Sequence, residues 1–249
     1  VLGTLISING GNWNLHNALE GGAILSVKKF VDLETNTART LIVRGSGSTV
    51  WLGSLSNSAG GASVSLDLRM TNDATFTMAG LNTGSGAFSL NQGILVLNNA
   101  NVVGGSTVLG SASTTMTFNG GELRSLQAMT GASKLIGPVQ LVGEPAVFSG
   151  TSSIELGGSL TGSGQRSLQN DLSGGALLTL AGQVNLSIDN NPRTMSIQGS
   201  GNVLVSGVIV NGGSGAGGVA YQGNATLSLA GSNLFTGTLF VNRGMVVLG

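Results

Sequence analysis

The chain has 249 residues, with ten acidic and ten basic side chains, no cysteine, 43 glycines and only 8% charged residues. That composition excludes a disordered tail, which would be charged and rich in proline, and it excludes collagen, because the glycines follow no three-residue period. Balanced charge leaves no net field to draw in nucleic acid or an anionic membrane, and without cysteine there is no disulfide, thiolate metal site or thiol nucleophile.

No run of about eighteen apolar residues occurs, so no helical membrane span is expected. One tyrosine and two tryptophans are too few for the aromatic girdles of an outer-membrane barrel. The sequence starts at Val1 without an initiator methionine or signal peptide, which reads as a mature product or a piece of something longer. No linker divides it, so one domain over residues 1–249 is expected.

Val1 to Gly11 opens as a strand, and Val1-Leu2-Gly3 repeats the last three residues, Val247-Leu248-Gly249. Such an echo is expected where solenoid copies continue head to tail. The polar segment holding Trp13 and His16 reads as an N-terminal cap, and residues 1–44 as a less regular cap region. Val27 to Arg44 carries Lys28, Lys29, Asp32, Glu34, Arg39 and Arg44. This polar piece predicts a solvated hairpin or edge excursion whose charges keep a sheet edge from pairing with strangers.

From Val50 onward short β-type runs recur every eight to twelve residues or so. Ser63 to Met70 alternates most cleanly, with Val64, Leu66, Leu68 and Met70 on one face and Ser65, Asp67 and Arg69 on the other. Asp67 and Arg69 then read as a surface ion pair. Further strands are predicted at Thr75 to Met78, Ala87 to Leu90, Ile94 to Leu97, Thr115 to Phe118, Val139 to Val142 and Ile154 to Leu156. Leu177 to Leu180, Val184 to Ile188, Met195 to Gln198, Val203 to Val205 and Val208 to Val210 follow. Phe30, Phe76, Phe88, Phe118, Phe148, Phe235 and Phe240 are expected to fill the wider core layers. These spacings suit an antiparallel sandwich as well as a solenoid. Gly212 to Gly218 reads as a surface loop between coils.

Residue constellations for chemistry are sparse. Gly213 to Gly218 satisfies GxGxxG, but neither the following helix nor the acid about twenty residues on that a dinucleotide site needs is present. Glycoside hydrolysis needs two carboxyl groups about 5–9.5 Å apart, and Glu122 and Glu144 stand near one coil apart; solvated acids beside Arg124 and Lys134 are the plainer reading. Trp13, Trp51 and Tyr221 are the aromatics available for a sugar platform. His16 is the one histidine, which makes no metal site by itself. Calcium at Asp189-Asn190-Asn191 would call for further acids. No catalytic, cofactor or metal residues are therefore assigned.

The C-terminal stretch, VAYQGNATLSLAGSNLFTGTLFVNRGMVVLG, holds three strand-like runs, Thr226 to Leu229, Thr238 to Val241 and Met245 to Leu248, separated by Gly, Asn and Ser. It resembles the autotransporter-associated β-strand repeat, which reads roughly G-x-L-x-L-x-G, N-x-Y-T-G-x-T-x-V, N-x-G-x-L-x-L-G. Ala225 replaces the first glycine and Phe235 the tyrosine, and Asn91 to Leu97 echoes Asn242 to Leu248.

The resemblance implies a right-handed parallel β-helix, exported and displayed at a bacterial cell surface, and it implies no chemistry. An all-β solenoid of about ten coils follows, at roughly 20 to 25 residues per coil. Open solenoid ends invite another copy, so self-association is expected through Val1, Leu2, Leu5, Ile6 and Ile8 at one end and Met245, Val246, Val247 and Leu248 at the other. The expected function is a structural or adhesive module at the cell surface or outside the cell, without enzymatic activity or cofactor. Its partner is another copy or flanking chain, with surface glycans as a further partner and no nucleic acid. The alternatives are a carbohydrate-active β-helix and a glycan-binding adhesin.

Overall fold

The computed structural model describes residues 2–7, 11–32, 37–57, 60–71, 73–80, 82–98, 106–107, 109–111, 114–143 and 145–249, with backbone alone at 2–7, 29–32, 106–107 and 110–111. Its strands stack in parallel as a β-solenoid. One sheet has eleven strands, from Leu2–Ser7 to Leu239–Val241; a second has nine, from Trp13–His16 to Ile209–Val210; a third has five, from Ile154–Leu156 to Met245–Leu248. The described residues include one antiparallel pairing, Ser106–Thr107 with Gly110–Ser111, and a single 3-10 turn at Gly131–Ser133.

Successive turns vary in length. Thr75 pairs with Ile94 but Arg166 with Met195, so one circuit takes between 19 and 29 residues. The nine rungs of the second sheet bound eight complete turns and the eleven of the first bound ten circuits, against about ten coils expected.

Alternation of side chains creates the core. Every second residue of a strand points inward, and parallel register sets equivalent positions directly above one another. Leu68, Leu90, Phe118 and Leu141 form one inward column. Leu180, Val205, Leu229 and Leu248 form another. All of these are buried except Leu248, on the last rung. Phe118 and Phe148 meet at 5.2 Å between ring centroids, and Trp51 and Phe76 at 5.9 Å.

Several strands match expectation to the residue, including Thr75–Met78, Ile94–Leu97, Ile154–Leu156, Leu177–Leu180, Thr226–Leu229 and Met245–Leu248. Others were not foreseen: Glu122–Ser125, Ala146–Gly150, Leu160–Gly162, Arg166–Leu172 and Gly217–Tyr221. Their Gly, Arg, Gln, Asn and Asp content hides strand propensity, and pairing with the rungs on either side overrides it. Val184 to Ile188 shortens to Val184–Asn185, and Ile188 is exposed.

Val27 to Arg44 is no hairpin. Ile24–Asp32 lies in the first sheet and Arg39–Gly45 in the second, each paired in parallel with its own neighbours above and below. Lys28 and Arg44 are accommodated on outward faces, whereas Arg39 stands on the inward face with Leu41 and Val43 and is buried against Trp13. Of the phenylalanines expected inside, Phe76, Phe88, Phe118 and Phe148 are buried, Phe235 is partly buried and Phe240 faces outward at 51% exposure. Phe240 sits between the inward positions Leu239 and Val241, so alternation sends its ring to the outer face. The side chain of Phe30 lies outside the described residues.

The turns are held by close backbone approach. Gly137, Gly158, Gly182, Gly207 and Gly231 stack at one corner through five successive turns. A Cβ on any of the last four would collide with the carbonyl of the glycine below it. Gly213 and Gly215 stack in the same way on Asp189 and Asn191, which explains the glycine-rich run as a corner; its last residues begin the strand Gly217–Tyr221.

Candidate assembly surface

The C-terminal rung is paired on one side only. Leu239–Val241 ends the first sheet and Met245–Leu248 ends the third. Hydrogen bonds of this rung run back to the turn before: Asn242 N–H to Tyr221 O at 2.9 Å, Met245 N–H to Ala225 O at 3.1 Å and Gly249 N–H to Leu229 O at 3.0 Å. The outward-pointing backbone groups along the far edge form a template for a further parallel strand.

Its side chains continue the core columns. Leu239 and Val241 lie over Val219 and Tyr221, and Val246 and Leu248 over Leu227 and Leu229. The lower members are buried, whereas Val241 is half-exposed and Leu248 is 66% exposed. Phe240, Met245, Val247 and the nearby Leu234 add exposed apolar surface around this end. Of the C-terminal residues singled out from the sequence, Met245, Val246, Val247 and Leu248 all fall on this rung. Leu239 and Val241 belong with them and were missed, because the run Thr238 to Val241 looks like any interior strand until the stacking order is known. Beneath the rung the ring of Tyr221 is enclosed by Gly223 and Gly244, and burial pushes its phenol above the ordinary value.

At the other end, Leu2–Ser7 and Trp13–His16 are the outermost strands of the first and second sheets. Leu2, Leu5 and Ile6 pair by backbone with Val27, Phe30 and Val31; Val1 and Ile8 lie outside the described residues. Trp13 and Leu15 are partly buried against the core. Arg39, itself buried, places its guanidinium 5.7 Å from the Trp13 ring centroid and donates to Gly11 O at 2.8 Å.

The residues considered for chemistry are distributed differently. Trp51 and Tyr221 are core side chains, so neither offers a sugar platform, and Trp13 remains as the partly exposed aromatic of the three. Glu122 accepts from Arg124 at 2.5 Å and from the Ser149 hydroxyl. Its rung neighbours are Ile94 and Val147, and Glu144 lies outside the described residues. Glu155 accepts from Gly131 N–H at 2.8 Å and faces Lys134 at 3.6 Å. Asp171 accepts from Gln169 at 2.5 Å and from Ser200 N–H at 3.0 Å. The expected Asp67–Arg69 pair forms at 2.7 Å with Arg69 exposed, while Asp67 is only 9% exposed and also accepts from Asn91 at 2.6 Å. Asn119 extends the ladder by donating to Asn91 at 3.0 Å. These acids are bound to side chains and backbone of their own or adjoining turns.

Asp189, where calcium was considered, is occupied by Arg193 at 2.6 Å, Ser187 at 2.7 Å and Asn191 at 3.0 Å. Among the described residues no group of three or more His, Asp or Glu is placed to hold a metal ion. Arg193 foremost, then Ser187 and Asn191, hold the Asp189 carboxyl well below the usual carboxylate range. A carboxyl depressed in the folded state stabilises it above the unfolded pKa, and that contribution is lost as pH falls below about 4. The stability difference between the parent and Asp189→Asn is therefore expected to be largest near neutral pH and to shrink in acid. Melting curves at about pH 7 and about pH 3 check this.

No helix among the described residues is long and apolar enough to cross a membrane. Comparison with family models, with curated proteins and with solved structures returned no match.

Proposed function

We propose that this chain is a structural β-solenoid module of an exported, cell-surface or extracellular assembly, and that it acts by stacking end to end rather than by catalysis. The observation that carries the reading is the C-terminal rung of this chain, whose apolar core columns and one-sided backbone edge suit a further rung, supplied by a second copy or by flanking parts of a longer chain. Head-to-tail stacking brings Leu239–Val241 onto Leu2–Ser7 of a second copy, the two end strands of the first sheet, and continues that sheet in parallel. Because the joining surfaces differ, the contact is heterologous and propagates as a fibre unless the rotation closes a ring.

Export and surface display rest on the repeat-like residues Ala225 to Gly249, with which the absence of cysteine is compatible. Adhesion belongs to the same reading, since a rod faced with Ser, Thr, Asn and Gln presents an extended polar surface.

Sedimentation and negative-stain electron microscopy over a range of concentrations test the assembly. The parent is expected to form rods longer than one chain. Val241→Lys combined with Leu248→Lys places two charges in the open end of the core and is expected to weaken association at least about tenfold, since burying an unpaired ammonium is costly. Leu52→Lys, on a lateral exposed position, is expected to leave it unchanged. A parent that stays a single particle at high concentration, or a double variant that assembles like the parent, overturns the reading.

A further inference from the structure

The overall charge is zero, yet the second sheet concentrates cations in a line. His16, Arg44 and Arg69 are register partners on three consecutive rungs, one rung every 4.8 Å or so along the solenoid axis. Gln92 continues the row across a register shift after Leu68. All four side chains are exposed. His16, Arg44 and Arg69 border an open hollow of about 380 Å³ completed by Gly45, Ser46 and Thr71. Gly45 has φ 111°, and a Cβ there would meet the Asn17 carbonyl oxygen at 2.0 Å and the His16 ring at 2.9 Å, so this corner requires glycine.

The partners of these cations leave donor capacity free. Arg44 donates one amino group to Asn14 Oδ1 and has no ion pair among the described residues. Arg69 gives Nε and one terminal nitrogen to Asp67 at 3.0 and 2.7 Å, which fixes its planar head while leaving its other terminal nitrogen outward. Asp67 is the carboxylate facing the row, and it also accepts from Asn91. Glu20 borders the neighbouring hollow, which shares Ser46.

We propose that this row is a binding site for an anionic polysaccharide lying along the solenoid axis. Its carboxylate or sulfate groups meet Arg44, Arg69 and His16 in succession, and its hydroxyls meet Ser46, Thr71 and Gln92. Guanidinium forks suit both anions. Side-chain hydroxyls and amides flank the cations where single-stranded nucleic acid would require aromatic platforms for its bases. In the sequence the three residues stand 28 and 25 positions apart, near one turn each, but the varying circuit length conceals their alignment.

His16 lies on the end strand Trp13–His16, so the row reaches the N-terminal end of the solenoid; the Val241→Lys/Leu248→Lys chain, altered at the opposite end, serves as a non-assembling background in which the row is tested alone. Calorimetric titration uses dextran sulfate fragments, polygalacturonate fragments, neutral dextran and an oligothymidylate. The expected result is binding of at least one of the two anionic glycans, no binding of neutral dextran, and at least about tenfold weakening between low and high salt. Arg44→Gln is expected to weaken binding about tenfold and Arg44→Lys less, whereas Arg243→Gln, at the far end, leaves it unchanged. A second variant, His16→Gln, is expected to weaken it as well, and circular dichroism melts confirm that each variant is folded. The proposal is overturned by neutral dextran binding as well as the charged chains, by Arg44→Gln and His16→Gln binding like the parent, by neither anionic glycan binding, or by tighter binding of the oligothymidylate.

Discussion

Replacing Gly182 with alanine is expected to destabilise the solenoid by about 3 kcal/mol or more, one of the largest effects of any single methyl group in this chain. The new Cβ would sit within 2.5 Å of the Gly158 carbonyl carbon and closer still to its oxygen, and the obstacle is backbone rather than a side chain that can turn away. Relief requires the two turns to separate. Separation breaks the bonds that Ala181 and Gly182 donate to Leu156 O at 2.8 and 3.2 Å, and it strains the pairing of Leu177–Leu180 with Ile154–Leu156. Gly207 stands on Gly182 in the same manner, so the disturbance is passed to the turn above. Gly84→Ala is the comparison: a Cβ there meets nothing nearer than 3.5 Å, and its cost is expected to stay near 1 kcal/mol or below. Urea unfolding followed by the fluorescence of the buried Trp51 gives both values. Equal stability of the two variants would show that the corner does not hold its turns at this spacing.

Asn170→Ala is expected to cost about 2–4 kcal/mol, although it removes no apolar contact of consequence. Asn170 is fully buried at the end of an inward column, above Phe148. Its Nδ2 donates to Asn202 O at 2.8 Å in the next turn, and its Oδ1 accepts from Leu172 N–H at 3.2 Å. Truncation leaves the buried Leu172 N–H without its acceptor, which costs the desolvation of that group rather than the modest net worth of a hydrogen bond, and it also removes the part-buried bond to Asn202 O. Asn17 repeats the device, donating to Ser48 O at 2.9 Å and accepting from Leu19 N–H at 3.1 Å. Asn185→Ala, whose amide bonds only side chains at Thr161 and Gln183, is expected to cost less than about 1 kcal/mol. Chemical denaturation separates the two, and hydrogen exchange at the Leu172 amide is expected to quicken in Asn170→Ala alone.

Both variants bear on assembly. In a stacked array each turn is stabilised chiefly by its two neighbours. The last rung has one neighbour, so Leu239–Val241 and Met245–Leu248 gain the most from a further rung. Loosening Gly182 or Asn170 lowers the stability of the rod without touching the end that stacks. Their effects are therefore expected in unfolding rather than in association.

The alternating runs Val64–Met70, Leu177–Leu180 and Thr226–Leu229 could be read directly from the chain, because inward and outward positions alternate within a strand whatever lies beside it. The same rule, applied without knowledge of stacking order, misplaced Phe240, which sits between two inward residues and faces out. It also left Trp51 and Tyr221 available as surface aromatics, although both are enclosed. Glu122–Ser125 and Arg166–Leu172 escaped notice because their polar residues are strand-like only through pairing with neighbouring turns.

By itself, then, the sequence determined a cysteine-free, glycine-rich chain of zero net charge and short strands with one buried face each, and it marked Met245 to Leu248 as an apolar end. Local patterning suffices for this because a strand's two-residue period is a property of a few adjacent residues. The tertiary structure alone decided which strand lies on which, since circuits of 19 to 29 residues make register a long-range matter settled by corner length and core packing. From that register come the glycine column at Gly182, the buried amide of Asn170, the uncovered rung at Leu248 and the cation row of His16, Arg44 and Arg69.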